Sequence, residues 1–146
     1  MHFVTGGAYN GKSRWVREHY KAKDIGFDQW ISAYHPDGLP KDSNFPHCNA
    51  IVIEGMEQFI KVNCLHRDTG TCRRVLNSLI EDWLAWENDE QQRLLVIIGT
   101  DITKGIVPME KEERIWRDIT GWIYQDISSK ADRVDVIWYG LNKQIK

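Results

Sequence analysis

One octet near the start of the chain narrows the choice of fold more than any other feature. Gly6-Gly7-Ala8-Tyr9-Asn10-Gly11-Lys12-Ser13 fits the pattern G-x-x-x-x-G-K-[ST] in full. Such a loop works between a β-strand and an α-helix. Its glycines let the backbone bend until several N–H groups point inward at an anion. The helix that follows adds unpaired N–H groups and the positive end of its dipole. Both flanks suit that setting: His2 to Thr5 is a short apolar strand candidate, and Lys12 to about Ala22 reads as a helix with Trp15, Val16 and Tyr20 on an apolar side. The octet, with Arg14 behind it, is therefore a candidate site for the phosphates of a nucleoside triphosphate, GTP or ATP. Lys12 is expected to reach the β- and γ-phosphates and Ser13 to place its hydroxyl on Mg²⁺.

The remaining pattern alternates strands with helices. Phe27–Ala33 is a weak strand candidate, followed by a loop from Tyr34 to His47 that holds Pro36, Gly38, Pro40 and Pro46. Ala50–Ile53 reads as a buried strand stopping at Glu54-Gly55, and Met56 to about Leu65 as a helix. A long helix is expected from about Cys72 to Glu87, with Val75, Leu79, Trp83 and Trp86 at helical spacing. Leu94–Ile98 is the strongest strand, Gly99–Pro108 a loop, and Met109–Lys130 a helix with Ile115, Ile119, Trp122, Ile123 and Ile127 on one stripe. Val134–Tyr139 reads as a last strand. Short apolar strands alternating with helices indicate an α/β fold: a mostly parallel sheet with helices on both faces, in one domain spanning 1–146. Ligands of such sheets bind at the carboxyl ends of the strands.

Composition excludes several classes. A net charge of −2 argues against non-specific nucleic-acid binding, which wants a basic face, and leaves a local basic patch open. No apolar run approaches the roughly 20 residues that span a bilayer, and the N-terminus has no basic-then-apolar leader. Cys48, Cys64 and Cys72 are odd in number and form no C-x-x-C pair, so a reduced, cytoplasmic chain is expected. His66 and Cys72 are neighbours in sequence but fall short of a zinc ligand set. Most of the seven Trp residues are expected in the core or at subunit contacts.

A second anchor for Mg²⁺ is expected at strand ends. Glu54 follows Ile51-Val52-Ile53, where a carboxylate could meet the metal directly or through water, or else cap the next helix. Asp101 follows the Leu94–Ile98 strand at an equivalent place.

Two segments together resemble a known family. One is Phe3-Val4-Thr5-Gly6-Gly7-Ala8 with Gly11-Lys12-Ser13-Arg14. The other is Lys104-Gly105-Ile106-Val107-Pro108, followed by Arg117-Asp118, Gly121, Ala131-Asp132, Val134 and Gly140. The chain in these segments is similar to the bifunctional adenosylcobinamide kinase/adenosylcobinamide-phosphate guanylyltransferases of cobalamin biosynthesis. The resemblance implies a P-loop NTPase (RecA-like) fold and a homo-oligomer. It implies Mg²⁺-dependent phosphorylation of a corrinoid substrate, adenosylcobinamide, followed by GMP transfer through a histidine. The middle of the chain departs from the family: the E-M-x-x-R-I-x-x-H helix that carries the histidine is replaced by Tyr34-His35-Pro36-Asp37-Gly38-Leu39-Pro40, and Asn10 stands where a Ser is usual.

His35, just after the second strand, is the candidate to carry a nucleotide in its place, since a nucleophile must lie in line with the α-phosphorus; the alternative is a plain loop histidine. Lys104 is a candidate cation beside the triphosphate. Arg114 and Arg117 read as helix-surface salt-bridge partners, and Lys143 and Lys146 as solvated. Two other functions stay open at this point: a nucleotide-binding module without corrinoid chemistry, and a kinase for another small hydroxyl substrate.

Overall fold

The computed structural model describes residues 1–35, 45, 47–64 and 67–146. Most of the expected Tyr34–His47 loop, and His66, lie outside the described residues. Six strands and four helices follow in the order β1 (His2–Gly6), α1 (Lys12–Lys21), β2 (Gln29–Ser32), β3 (Ala50–Glu54), α2 (Met56–Cys64), α3 (Thr69–Asp89), β4 (Leu94–Thr100), α4 (Lys111–Lys130), β5 (Arg133–Trp138) and β6 (Leu141–Gln144). They form one sheet in the order β2-β3-β4-β1-β5-β6. Every pairing is parallel except β5 with β6.

Alternation along the strands divides the core in two. Phe3, Ile51, Ile53, Leu95 and Ile97 face α2, α3 and α4, while Val4, Val52, Val96 and Ile98 face α1. The three central strands are buried on both sides, which is why they read as unbroken apolar runs. The helices thus cover both faces, as expected.

Helix stripes are offset from their sequence reading. In α3 the buried residues are Cys72, Leu76, Ile80, Trp83 and Trp86, and Val75 faces outward. In α4 Trp122 lies at the edge, and Tyr124 is buried instead.

Two expectations are corrected. β6 is not signalled by the sequence: Leu141-Asn142-Lys143-Gln144 is exposed throughout, and it becomes a strand because β5 offers it a free edge. The cysteines are not all free. The turn after α2 brings Cys64 and Cys72 to a Cα separation of 5.3 Å, within disulfide range, and their Sγ atoms are bonded. Cys48 stays a buried thiol. Among the described residues no three His, Cys, Asp or Glu side chains gather as a metal cage, and no helix is long and apolar enough to cross a membrane.

At the amino end of the sheet, β1 is tied to β5 by a buried polar chain. His2 Nε2 lies 2.9 Å from Asp135 Oδ2, and Nδ1 lies 2.8 Å from the Tyr20 hydroxyl. A carboxylate can only accept, so Nε2 carries a proton; in the neutral ring that burial favours, Nδ1 accepts from the Tyr20 hydroxyl. Arg133 and Asn142 complete the shell around Asp135. Burial lowers the His2 pKa to about 4, against the opposing pull of Asp135. A histidine depressed from about 6.5 in the unfolded chain stabilises the fold fully above that value and loses the contribution as pH falls toward 4. Thermal melts should therefore show a loss that accumulates between about pH 6.5 and 4, amounting to as much as about 3 kcal/mol. His2→Gln, which keeps a donor and an acceptor, should flatten this part of the profile; an unchanged profile would mean that His2 is not the titrating group.

Candidate functional site

The carboxyl ends of β1, β3 and β4 converge on the glycine-rich octet. Gly6 ends β1 at φ 145°, and a Cβ there would sit 2.2 Å from the carbonyl oxygen of Ile137. Only glycine allows β1 to turn while lying this close to β5. Gly11 caps α1 in the left-handed region at φ 82°, and no side chain caps the helix. The first-turn N–H groups of α1 therefore point into the loop with no acid or hydroxyl to receive them, the arrangement that an anion satisfies.

Lys12 is buried, with its Nζ 3.2 Å from Gly6 O and 2.8 Å from Gly7 O. Burial lowers its pKa, while Glu57, Glu54 and Asp101 pull the other way. Ser13 Oγ donates to Glu54 Oε1. The other oxygen of Glu54 accepts from Trp30 Nε1 at 2.6 Å, and the Arg17 guanidinium lies 3.5 Å from the centre of the Trp30 ring. Glu54 is thus held by the serine of the loop on one side and by a cation-backed indole on the other.

Lys12, Ser13, Glu54, Ala8, Tyr9, Gly11 and Arg14 share one cavity of about 660 Å³, whose far wall is Tyr34, Glu57, Thr100, Ile102 and Trp116. Hard oxygen donors converge there without forming a closed cage. That donor set fits Mg²⁺, which keeps several waters and takes one or two protein oxygens together with substrate phosphates.

Glu57 went unnoticed in the sequence. It opens α2 one turn beyond Glu54 and is only 3% exposed. Its Oε1 accepts from the Tyr34 hydroxyl, and its Oε2 accepts from Thr100 N at 2.8 Å. The Tyr124 hydroxyl is shared between Glu57 Oε2 at 3.3 Å and Thr100 O at 3.1 Å. Both tyrosines are raised in pKa, chiefly by burial. The signal available in the sequence was the three-residue spacing from Glu54, which places a second acid on the same side of the strand end.

The other expected residues divide. Asp101 N donates to Gly6 O at 2.9 Å, which fastens the β4 end to the loop. Its carboxylate accepts from Thr103 and sits 3.6 Å from Lys104 Nζ, turning the segment into a local knot. Lys104 is 84% exposed and meets Asp101 rather than the cavity. His35 is exposed at the turn after β2 and is not among the residues lining the cavity; Tyr34 takes that place. Arg114 is not a surface salt-bridge partner: it donates to the carbonyls of Pro108 and Met109. Arg117 reaches Asp118 at 3.5 Å. Lys146 is not simply solvated, since its Nζ caps α4 through Ser128 O and Ser129 O.

Against known families, residues 16–145 match the model described as cobinamide kinase / cobinamide phosphate guanyltransferase. The chain belongs to this family. No curated protein matches it. The match begins just after the G-x-x-x-x-G-K-[ST] octet, so the octet and the family match are separate observations on one chain. Together with the sheet order they make this a P-loop NTPase fold of the cobinamide kinase family. Family membership carries with it a transferase role in cobalamin biosynthesis.

The close approach at Gly6 gives a direct test of the loop. Gly6→Ala should cost about 2–4 kcal/mol in denaturant unfolding, because the added carbon must push β5 away or force a strained φ. A loss under about 0.5 kcal/mol would mean that the β1–β5 contact relaxes freely.

Proposed function

We propose that this chain is a kinase that moves the terminal phosphoryl group of a Mg²⁺-bound nucleoside triphosphate to the hydroxyl of an adenosylcobinamide side arm. The observation that carries the reading is the joint position of Lys12, Ser13 and Glu54 in one cavity at the uncapped start of α1. Residues Gly6 to Arg14 would cradle the phosphates through backbone N–H groups. Ser13 Oγ, with Glu54 bound directly or through water, would hold Mg²⁺, which offsets charge between the β- and γ-phosphates. Lys12 would exchange its hold on the Gly6 and Gly7 carbonyls for the phosphate oxygens, where negative charge builds in the transition state. In the reaction the substrate hydroxyl oxygen bonds to the γ-phosphorus, the bond to the β–γ bridging oxygen breaks, and the hydroxyl proton is released.

Glu57 fits the role of a fixed counter-charge. It faces Lys12, and its hydrogen bonds hold Tyr34 and Thr100 at the mouth where a second substrate would approach. A corrin ring is larger than the cavity, so only its arm would enter. The ring would then rest on the segment between β4 and α4, where Ile106 and Met109 are almost fully exposed, Val107 is half exposed, and Gly105 has open space around it.

Guanylyl transfer is the weaker half of the reading. Among the described residues, none that lines the cavity is a histidine. His35 is one residue from the wall, and it is the group through which a GMP step would run. Two measurements separate these activities. With γ-labelled nucleotide and adenosylcobinamide, Lys12→Ala should lower turnover about 10²–10³-fold without unfolding the chain. Glu54→Gln should raise the Mg²⁺ concentration needed for half-maximal rate about tenfold or more. Turnover that survives Lys12→Ala at full rate would sink the kinase reading. With α-labelled GTP, the chain should retain no acid-labile label; a label lost in His35→Ala would restore the second activity.

A further inference from the structure

Glu54 is gripped from behind by a residue that the phosphate chemistry does not touch. Trp30 lies in β2, and its register partner in β3 is Val52, two residues before Glu54. Alternation along β3 puts Val52 and Glu54 on the face covered by α1, and Trp30 packs at the edge of the same core. From there its indole N–H donates to Glu54 Oε2 at 2.6 Å, while Ser13 Oγ donates to Oε1. The ring is itself held from two sides. The Phe27 ring meets it edge to face with centres 5.6 Å apart, and the Arg17 guanidinium lies 3.5 Å from its centre. Arg17 follows Ser13 by four residues, so both rise from one side of α1. One helix face therefore acts on both oxygens of Glu54: on Oε1 through the Ser13 hydroxyl, and on Oε2 through a cation-backed indole. Neither Trp30 nor Arg17 lines the phosphate cavity.

We propose that Trp30 is a positioning residue that leaves Glu54 a single free oxygen and thereby selects Mg²⁺ over Ca²⁺ at the phosphate site. The proposal rests on the reading of that site given above. A carboxylate with both oxygens free can close on a cation through two bonds. Ca²⁺ gains from that, because it takes roughly six to eight oxygens in flexible geometry. Mg²⁺ demands a near-ideal octahedron and keeps several waters, so it gains most from one well-aimed oxygen. With Oε2 committed to the indole, Glu54 can offer only Oε1, to the metal or to a water on it. The Arg17 cation is attracted to the ring face. It draws electron density from the indole and makes the N–H a stronger donor. Outer-shell partners of this kind orient a metal-binding group and tune the ion it accepts. Trp30 makes no bond to metal, nucleotide or acceptor in this scheme; it decides how many bonds Glu54 can make.

Calorimetry on the full chain, with no acceptor substrate present, tests this through binding alone. The probe is ATP or GTP, whichever binds the parent more tightly with Mg²⁺, presented first with excess Mg²⁺ and then with excess Ca²⁺. The parent should bind the Mg²⁺ complex about tenfold or more tightly than the Ca²⁺ complex. Trp30→Phe keeps a ring against Arg17 and Phe27 and removes only the N–H. It should bring the two complexes within about threefold of each other, by weakening the first and strengthening the second. Arg17→Met alters an exposed side chain and should move the ratio the same way by about two- to threefold; it decides the matter if thermal melts show that Trp30→Phe does not fold. A Trp30 that merely packs would leave the ratio at the parent value, or would weaken both complexes equally, and either result overturns the proposal. So does a parent that binds the two complexes alike. If instead Lys12→Ala binds the Mg²⁺ complex as tightly as the parent, the phosphate site itself fails and takes this inference with it.

Discussion

The position of β1 decides most of what this molecule can do. It is paired along both edges, to β4 and to β5, and covered on both faces. A strand held in this way cannot slip by a residue without turning Phe3 and Val4 to the wrong faces. Its carboxyl end is therefore fixed, and Gly6 must make its turn against the Ile137 carbonyl with no room for a side chain. From that point the loop can only rise over the ends of the neighbouring strands. Asp101 N bonds back to Gly6 O, and Gly55 N bonds to Ile98 O, so the three strand ends are laced together before any ligand arrives. The position of every proposed site residue follows from this lacing.

Charge is organised around a single buried cation. Lys12 is surrounded by Glu54, Glu57 and Asp101, and its ammonium is held by two backbone carbonyls. The carboxylates offset part of the desolvation that burial imposes on the lysine. They also mean that a bare triphosphate would meet like charge at the cavity, whereas a metal-bound one would arrive partly neutralised. Glu57 matters here because its oxygens are committed to Tyr34, Tyr124 and Thr100. A fixed carboxylate of this kind sets the local field without moving during reaction, which is the condition for electrostatic preorganisation.

Legibility in the sequence followed burial. β1, β3 and β4 were readable because strands covered on both faces must be apolar at successive positions. The loop was readable because backbone curvature around phosphate demands glycine at set places, followed by Lys12 and Ser13. β6 was not, since Leu141 to Gln144 are all exposed and the strand exists only as a partner for β5. Glu57 was hidden for a different reason: a buried acid looks like an ordinary first-turn acid until the tertiary structure brings Tyr34, Thr100 and Tyr124 around it. The pairing of Cys64 with Cys72 likewise depends on how tightly α2 returns into α3, which spacing alone does not tell.

Of the segment that departs from the family in the middle of the chain, Tyr34 and His35 lie among the described residues. β2 ends at Ser32, and the turn that follows brings Tyr34, not His35, to the cavity wall, where its hydroxyl donates to Glu57. A residue two places past a strand end can face the site only if the chain turns there, and here the turn is closed by His35 N donating to Ser32 O. That bond directs the histidine outward and the tyrosine inward. A phenol whose ionisation is suppressed by burial is a hydrogen-bond donor and not a nucleophile at neutral pH. At the cavity wall after β2, the described residue is thus a hydrogen-bonding phenol and not a histidine. This favours phosphoryl transfer, which asks the protein for position and charge rather than for a covalent intermediate.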